Sequence, residues 1–250
     1  MAVSYSALCD DFYVNLTLNT ELELPSERDT ILHFFERIQR QFPSMNSFYQ
    51  RETGDFCLDE DRESGSYRWV TVEKDRVCSG HVNPDSLEEA DQLHKAVLEL
   101  APYMLGVNHL DVNALDVLYG MDFDYQGNHD EILADALFGE TPFASLLDWQ
   151  TARPLSFDPA VIVSLSDDCR MQARVSVESR TGAYQIRTGK FKEEDQLSLY
   201  LSLRQYPDPA ERFDTLKSYG NQREVCNELM AERIVPNFVK PIVEAIGQRR

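Results

Sequence analysis

The sequence predicts an α+β fold built from two tandem ferredoxin-like units with antiparallel sheets, followed by C-terminal helices. Two observations lead to this prediction. Strand and helix patterns alternate in the order β-α-β-β-α-β from residue 12 to residue 125, which is the order of a ferredoxin-like unit. A strand-to-helix junction then recurs, because residues 18–32 and 123–133 both pass from a strand pattern through a short polar stretch into a helix pattern.

Hydrophobic periodicity assigns the elements of the first unit. Polar and apolar residues alternate over 12–19, which is typical of a half-buried strand. Apolar residues recur at helical spacing after Ser26 until Pro43 ends the pattern, and Ser86 with Glu89 forms a Ser-x-x-Glu capping box for a second helix. The predicted elements are strand 12–19, helix 26–42, strands 48–52 and 67–73, helix 86–102 and strand 112–125.

The second unit is predicted from the same signals. The turn residues 179–182 indicate a hairpin between two of its strands, and Asp208 followed by Pro209 indicates a helix start. Pro236 and Pro241 interrupt the last apolar stripe, so a break or kink is expected there. The predicted elements are helices 129–138 and 142–149, strands 161–166, 170–178, 184–188 and 197–203, and C-terminal helices from 208.

We expect the two units to meet near residue 109. The predicted division is an acidic α+β unit at 1–108 and a second α+β unit with a helical C-terminus at 109–250. No long linker separates them, so the units are expected to pack closely, and one continuous domain is the alternative.

Charge is distributed unevenly along the 250 residues, whose formal net charge is −19. Residues 1–150 carry 29 acidic and 9 basic side chains, a balance of −20, whereas residues 151–250 carry 14 and 15, a balance of +1. A chain this acidic is a poor general binder of nucleic acid or of anionic lipid, since both need a cationic face. We therefore expect no nucleic-acid partner and no membrane partner.

Other global features favour a cytoplasmic protein. No apolar run reaches the length of a membrane-spanning helix, and the first 14 residues lack the pattern of a signal peptide. Five widely spaced cysteines without a Cys-x-x-Cys pair fit free thiols in a reducing compartment. Trp69 and Trp149, the two tryptophans, are expected in the core.

Four acidic or imidazole side chains near residue 125 form the candidate catalytic cluster. Asp122 and Asp124 are two apart on a predicted strand and so share a face, and His129 and Asp130 follow after one turn. Carboxylates with an imidazole suit a divalent metal, which would allow a metal-dependent hydrolase. The structural alternative is a helix start, with Asn128 as cap and the two strand aspartates solvated.

Basic residues of the second unit form a candidate binding face. Arg170 and Arg174 alternate with apolar residues on one predicted strand, and Arg187 would continue the face on the next strand. Guanidinium groups on a sheet can bind an anion or an acidic partner, including the acidic part of this chain or of a second copy.

No Gly-rich phosphate loop, nucleophile motif or cofactor motif occurs, so no cofactor is predicted. The leading functional hypothesis is a non-catalytic cytosolic binding or interaction module, with a protein partner and self-association both open. The metal-dependent hydrolase is the alternative.

Overall fold

Nine β-strands form one continuous antiparallel sheet in the order β2-β3-β4-β5-β1-β6-β9-β8-β7. The computed structural model describes residues 5–249. The strands are β1 (Asp11–Thr20), β2 (Ser47–Gln50), β3 (Phe56–Asp59), β4 (Tyr67–Val72), β5 (Arg76–Val82), β6 (Val112–Asp124), β7 (Ala160–Ser164), β8 (Met171–Glu178) and β9 (Gln196–Gln205).

The α-helices are α1 (Arg28–Gln41), α2 (Leu87–Met104), α3 (His129–Leu133), α4 (Ala183–Thr188), α5 (Thr215–Leu229) and α6 (Lys240–Gly247), and the longer ones cover one face of this sheet. Helix α2 packs on β1 and β5, and α5 packs on β6 and β9. One hydrophobic core between the helices and the sheet joins both parts of the chain.

Strict alternation in the strands decides which side chains enter the core. In β1, Phe12, Val14, Leu16 and Leu18 are buried, while the residues between them are only half-buried. In β9, the four leucines Leu197, Leu199, Leu201 and Leu203 are buried on the face that α5 covers. The remaining side chains of these strands lie on the opposite face, which we call the open face.

The α+β class is confirmed, but the two tandem ferredoxin-like units are not. Strand β6 pairs with β1 on one side and with β9 on the other, so both parts of the chain belong to one sheet. The predicted boundary at residues 108 and 109 falls in the turn before β6, where Asp111 N–H donates to Asn108 O. Pairing on both edges of β6 is the physical reason why separate sheets do not form.

The predicted β-α-β-β-α-β order is wrong, because four strands, β2 to β5, lie between α1 and α2 where two were expected. Two predictions for the second part of the chain are also wrong. Residues 183–188 form helix α4 and not a strand, because Gly189 takes the left-handed conformation (φ 66°) that ends a helix and Gln185 closes the first turn on Gly182 N–H. No helix starts at Asp208. The helix begins at Thr215, after Asp214 caps Lys217 N–H at 3.0 Å.

The C-terminal chain stays helical through both prolines. Residues Met230–Val239, which include Pro236, adopt a π-helix between α5 and α6. Pro236 has no N–H to donate and its ring crowds the preceding turn, so a wider turn accommodates it. The break expected from the prolines is therefore replaced by a π-helical segment.

Candidate functional site

Two neighbouring cross-strand rows of side chains form a trough on the open face. The strand register places one residue from each of seven adjacent strands in the first row, which runs Trp69, Gly80, Asn15, Leu118, Ser202, Arg174 and Ile162. The second row, two residues further along each strand, contains Thr17, Asp116, Arg204 and Gln172. With Tyr206, the residues of both rows other than Gly80 line a cavity of about 430 Å³.

The sheet must be strongly curved around this trough. Trp69 on β4 and Ile162 on β7 are six strand spacings apart, which is about 29 Å along a flat sheet. Both side chains nevertheless line the same small cavity. A twisted and coiled sheet of nine strands has this concave shape, so its open face can surround a ligand.

Glycine leaves room for an aromatic ring to pack directly against the backbone of the sheet at the trough floor. The indole of Trp69 covers Gly80, and a Cβ at Gly80 would overlap the indole and the Oδ1 atom of Asn15. The ring of Tyr13 covers Gly120 in the same way. The floor at Gly80 is therefore an apolar plate beside the buried Oδ1 of Asn15, an atom without a hydrogen-bond partner among residues 5–249.

A paired arginine forms one side of the trough. Arg204 Nε and Nη2 donate to Asp116 Oδ1 and Oδ2 at 2.6 and 2.7 Å, a bidentate geometry. The hydrogen bonds to Asp116 raise the pKa of Arg204 above its ordinary value. Tyr206 lies under the guanidinium, with the ring centroid 5.8 Å from Cζ. Arg204 is thus held in place and its charge is largely neutralised.

Arg174 is different, because its guanidinium has no ion pair or hydrogen bond within residues 5–249. It lies in the first row between Ser202 and Ile162 and is exposed to solvent in the trough. Of the three arginines predicted to bind an anion, Arg174 is the one that lines this cavity.

The other two arginines lie elsewhere. Arg170 is paired with Asp208 at 2.6 Å and with Asp168 at 3.4 Å. Arg187 is on helix α4, with its Cζ 5.7 Å from the ring centroid of Tyr184, so it does not continue the polar face of β8. The structure therefore does not bring Arg170, Arg174 and Arg187 into one group.

Asp122 and Asp124 share the open face, as the strand period predicts. Tyr13 Oη donates to Asp122 Oδ1 at 3.4 Å, and burial raises the pKa of Asp122, while Ser198 and Arg180 oppose that rise. Asp124 Oδ1 accepts from Gln196 Nε2 at 2.8 Å. These carboxylates are engaged by neighbouring strands of the sheet.

His129 and Asp130 are both fully buried at the start of α3. His129 contacts the Tyr125 carbonyl through Nε2 at 2.9 Å, and burial lowers its pKa. Asp130 Oδ1 accepts from Phe157 N–H at 2.9 Å, and Oδ2 accepts from the hydroxyl groups of Ser179 and Thr181. Asp130 thus joins three segments of the chain.

The start of α3 is also capped. Asn128 Oδ1 accepts from Asp130 N–H at 3.1 Å, which is the geometry of an N-cap. Glu131 pairs instead with Arg249 at 2.8 Å. Among residues 5–249, no group of three or more His, Cys, Asp or Glu side chains is arranged to hold a metal ion.

Most residues of the trough carry no signal in the sequence that joins them into one site. Asn15, Trp69 and Arg204 are far apart in sequence, and only the strand register makes them neighbours. Trp69 is half-buried on the open face and Trp149 is 77% exposed, so the expectation that both are core residues is wrong. The alternation of polar residues in β1 and β8 was the available signal for the open face.

The sequence matches no protein-family model, and a search of curated proteins finds no relative. Within the described chain, no helix has both the length and the apolar character needed to cross a bilayer.

Proposed function

We propose that this chain is a non-catalytic binding module whose trough holds a small ligand through an oxyanion group, either a carboxylate or a phosphate. The observation that carries the proposal is the guanidinium of Arg174, which lines the cavity and has no anionic partner within residues 5–249. An unpaired arginine presents five N–H donors in a planar fork that fits carboxylate and phosphate oxygens.

The local charge of the trough supports an anionic ligand. Its lining contains Arg174, Arg204 and one carboxylate, that of Asp116. The net local charge is positive although the whole chain carries −19. Such a local reversal favours anions at this place and not over the rest of the surface.

The remaining lining suggests what the ligand carries besides the oxyanion. Trp69, Leu118 and Ile162 offer apolar contact, and the indole plate over Gly80 suits a planar or aliphatic body. The Asn15 side chain also lines the cavity beside the indole, so its amide group can hydrogen-bond a polar atom of the ligand. A volume of about 430 Å³ suits a small molecule.

Tryptophan fluorescence tests this proposal. Trp149→Phe leaves Trp69 as the one tryptophan of the chain, so its emission reports on the trough. Indole-3-acetate would overlap in absorbance, so the probes are phenyl phosphate and hexanoate, each compared with its neutral analogue. We expect saturable emission changes and a raised melting temperature with the anions, and loss of both in Arg174→Gln.

The matched control is Arg187→Gln, since Arg187 is an exposed arginine outside the trough. It should bind the anions as the parent does. Equal binding of an anion and its neutral analogue, or anion binding that is unchanged in Arg174→Gln, would contradict the proposal.

Several sequence predictions remain proposals beside this one. They are the ferredoxin-like character of the two parts, the division at residue 109, a cytoplasmic location and the absence of a nucleic-acid partner. The metal-dependent hydrolase centred on Asp122, Asp124, His129 and Asp130 also stays an untested alternative. The hydrogen bonds that Asp130 accepts from two other segments, at Phe157 and at residues 179–181, support a structural role for that carboxylate.

A further inference from the structure

Strand β7 is an edge strand that is apolar and unprotected. It pairs with β8 on one side and is the last strand in the order of the sheet. All five of its residues, Ala160–Ser164, are exposed, and no charged residue occurs between Pro159 and Ser166. Edge strands in proteins usually carry lysine, a bulge or a cover that blocks further pairing. An uncharged, exposed edge of this kind is a surface for adding another strand.

The hydrogen bonds of β7 show which backbone groups face outward. Val177 N–H donates to Pro159 O at 3.0 Å, and Leu165 N–H donates to Met171 O at 2.8 Å. Because antiparallel pairs alternate, the odd-numbered residues of β7 exchange hydrogen bonds with β8. The N–H and C=O groups of Ala160, Ile162 and Ser164 therefore point away from the sheet.

The sequence of β7 is complementary to itself. Val161-Ile162-Val163 is a palindrome, so an antiparallel strand of the same sequence centred on Ile162 would place valine opposite valine on one face and isoleucine opposite isoleucine on the other. The outward groups of Ala160, Ile162 and Ser164 would then exchange hydrogen bonds across a two-fold axis.

Charge also favours a second copy at this edge and not at the opposite one. The strands β1 to β6 belong to the part of the chain with a balance of −20, and β7 is separated from them by β9 and β8. Joining two copies through β7 keeps their acidic parts at the two distant ends of the combined sheet. Joining them through β2 would bring the acidic parts together.

We propose that β7 is the interface between two copies of this chain, which pair antiparallel through β7 about a two-fold axis at Ile162. An apolar groove of about 880 Å³ lies beside strand β7 and includes Phe143, Leu146 and Val161. Phe143 is 57% exposed, Leu146 is 70% exposed and Val161 is 61% exposed. A second copy would cover part of this apolar surface, which adds hydrophobic area to the backbone pairing.

Sedimentation velocity over a range of protein and salt concentrations tests the interface. We expect a dimer that strengthens as salt is added, because salt screens the repulsion between two acidic bodies. An association between the acidic part of one copy and the arginines of another would weaken with salt. A monomer at every concentration and ionic strength would overturn the proposal, as would a dimer that dissociates when salt is added.

Val161→Lys is the main variant, because its side chain is exposed and lies on the face opposite the trough. We expect the dimerisation constant to fall by about tenfold or more, since a lysine on an edge strand opposes pairing. Ser47→Lys on the other edge strand, β2, is the matched control and should leave the dimer intact. Dimerisation that is unchanged in Val161→Lys would contradict the proposal.

A cross-link tests the register. Directly opposed residues that exchange hydrogen bonds have Cα atoms about 5.5 Å apart, which is within disulfide range. Ile162→Cys in a Cys169→Ser background should therefore form a covalent dimer under mild oxidation, since Cys169 is the exposed native thiol among the described residues. The same background with Ser47→Cys should not. Equal cross-linking of both variants would overturn the two-fold register.

Discussion

The indole of Trp69 packs directly over Gly80, its partner across strands β4 and β5. This contact needs a residue without a side chain at position 80, because a Cβ there would overlap the ring and Asn15. The glycine thereby fixes the floor of the trough, and the sheet gains a planar apolar plate next to a buried amide oxygen.

Gly80→Ala should destabilise the fold by about 1–3 kcal/mol, because overpacking forces the indole or the strand to move. Gly220→Ala is the matched control, since a Cβ at this helical glycine meets no atom within 4 Å. It should stabilise the protein by about 0.5–1 kcal/mol through helix propensity. Urea unfolding followed by circular dichroism measures both changes, and equal effects of the two substitutions would contradict this account.

Asp130→Ala should lower the free energy of unfolding by about 2–4 kcal/mol, because it removes a fully buried carboxylate and leaves the Phe157 N–H and the Ser179 hydroxyl, both part-buried, without their acceptor. Asp124→Ala replaces an exposed carboxylate at the end of β6 and should lower the free energy of unfolding far less. Thermal unfolding with and without millimolar divalent ions distinguishes a structural role of Asp130 from a metal site formed with Asp122, Asp124 and His129. A midpoint that rises with a metal ion in the parent but not in Asp130→Ala would favour the hydrolase alternative.

The contact between helices α2 and α5 should depend on Asp91. Asp91 Oδ1 accepts from Tyr219 Oη at 2.6 Å, and Asp91 Oδ2 pairs with Arg223 Nε at 2.5 Å. Tyr219→Phe removes one hydrogen bond and should cost about 1–2 kcal/mol. Asp91→Ala leaves the buried Tyr219 hydroxyl without its acceptor and the Arg223 guanidinium with Glu88 at 3.5 Å as its remaining partner, so it should cost about 3–5 kcal/mol. Chemical unfolding of both variants tests this order, and the reverse order would show that the contact is not organised around the carboxylate.

Stability should fall as the solution is acidified below the ordinary pKa of histidine. Burial lowers the pKa of His94 to about 3 and that of His81 to about 4, each from 6.5. The unfolded chain therefore binds protons that the folded chain does not, so stability is complete above about pH 6.5 and decreases from there toward pH 4 and below. The slope contributed by one such group is at most about 1.4 kcal/mol per pH unit.

His94→Gln should flatten this pH dependence, and His33→Gln, at an exposed position of α1, should not. His94 Nδ1 is 2.8 Å from Ser79 Oγ, and glutamine can keep a polar contact there. Melting temperatures measured from pH 7.5 to pH 4 compare the slopes. The same slope in the parent and in His94→Gln would mean that His94 is not the group responsible.

The sequence by itself determined the α+β class, most element positions and the alternation that divides each strand into a core face and an open face. These properties depend on local periodicity and capping, as in β1, where the buried residues are the ones that the period-2 pattern selects. It also indicated the polar face of β8, on which Arg174 lies. The strand predicted at 184–188 was wrong because two local signals compete there. The residues alternate as in a strand, but Gln185 and Gly189 provide the contacts that start and end a helix.

Only the tertiary structure decided that β9 lies between β6 and β8, and that the two parts of the chain share one sheet. Strand register then placed Trp69, Asn15 and Arg174 in one row, although they are separated by many residues in sequence. Pairing of distant strands depends on backbone hydrogen bonds and on how whole faces pack together. A single sequence carries no local signal for either of these, so the trough became visible only in three dimensions.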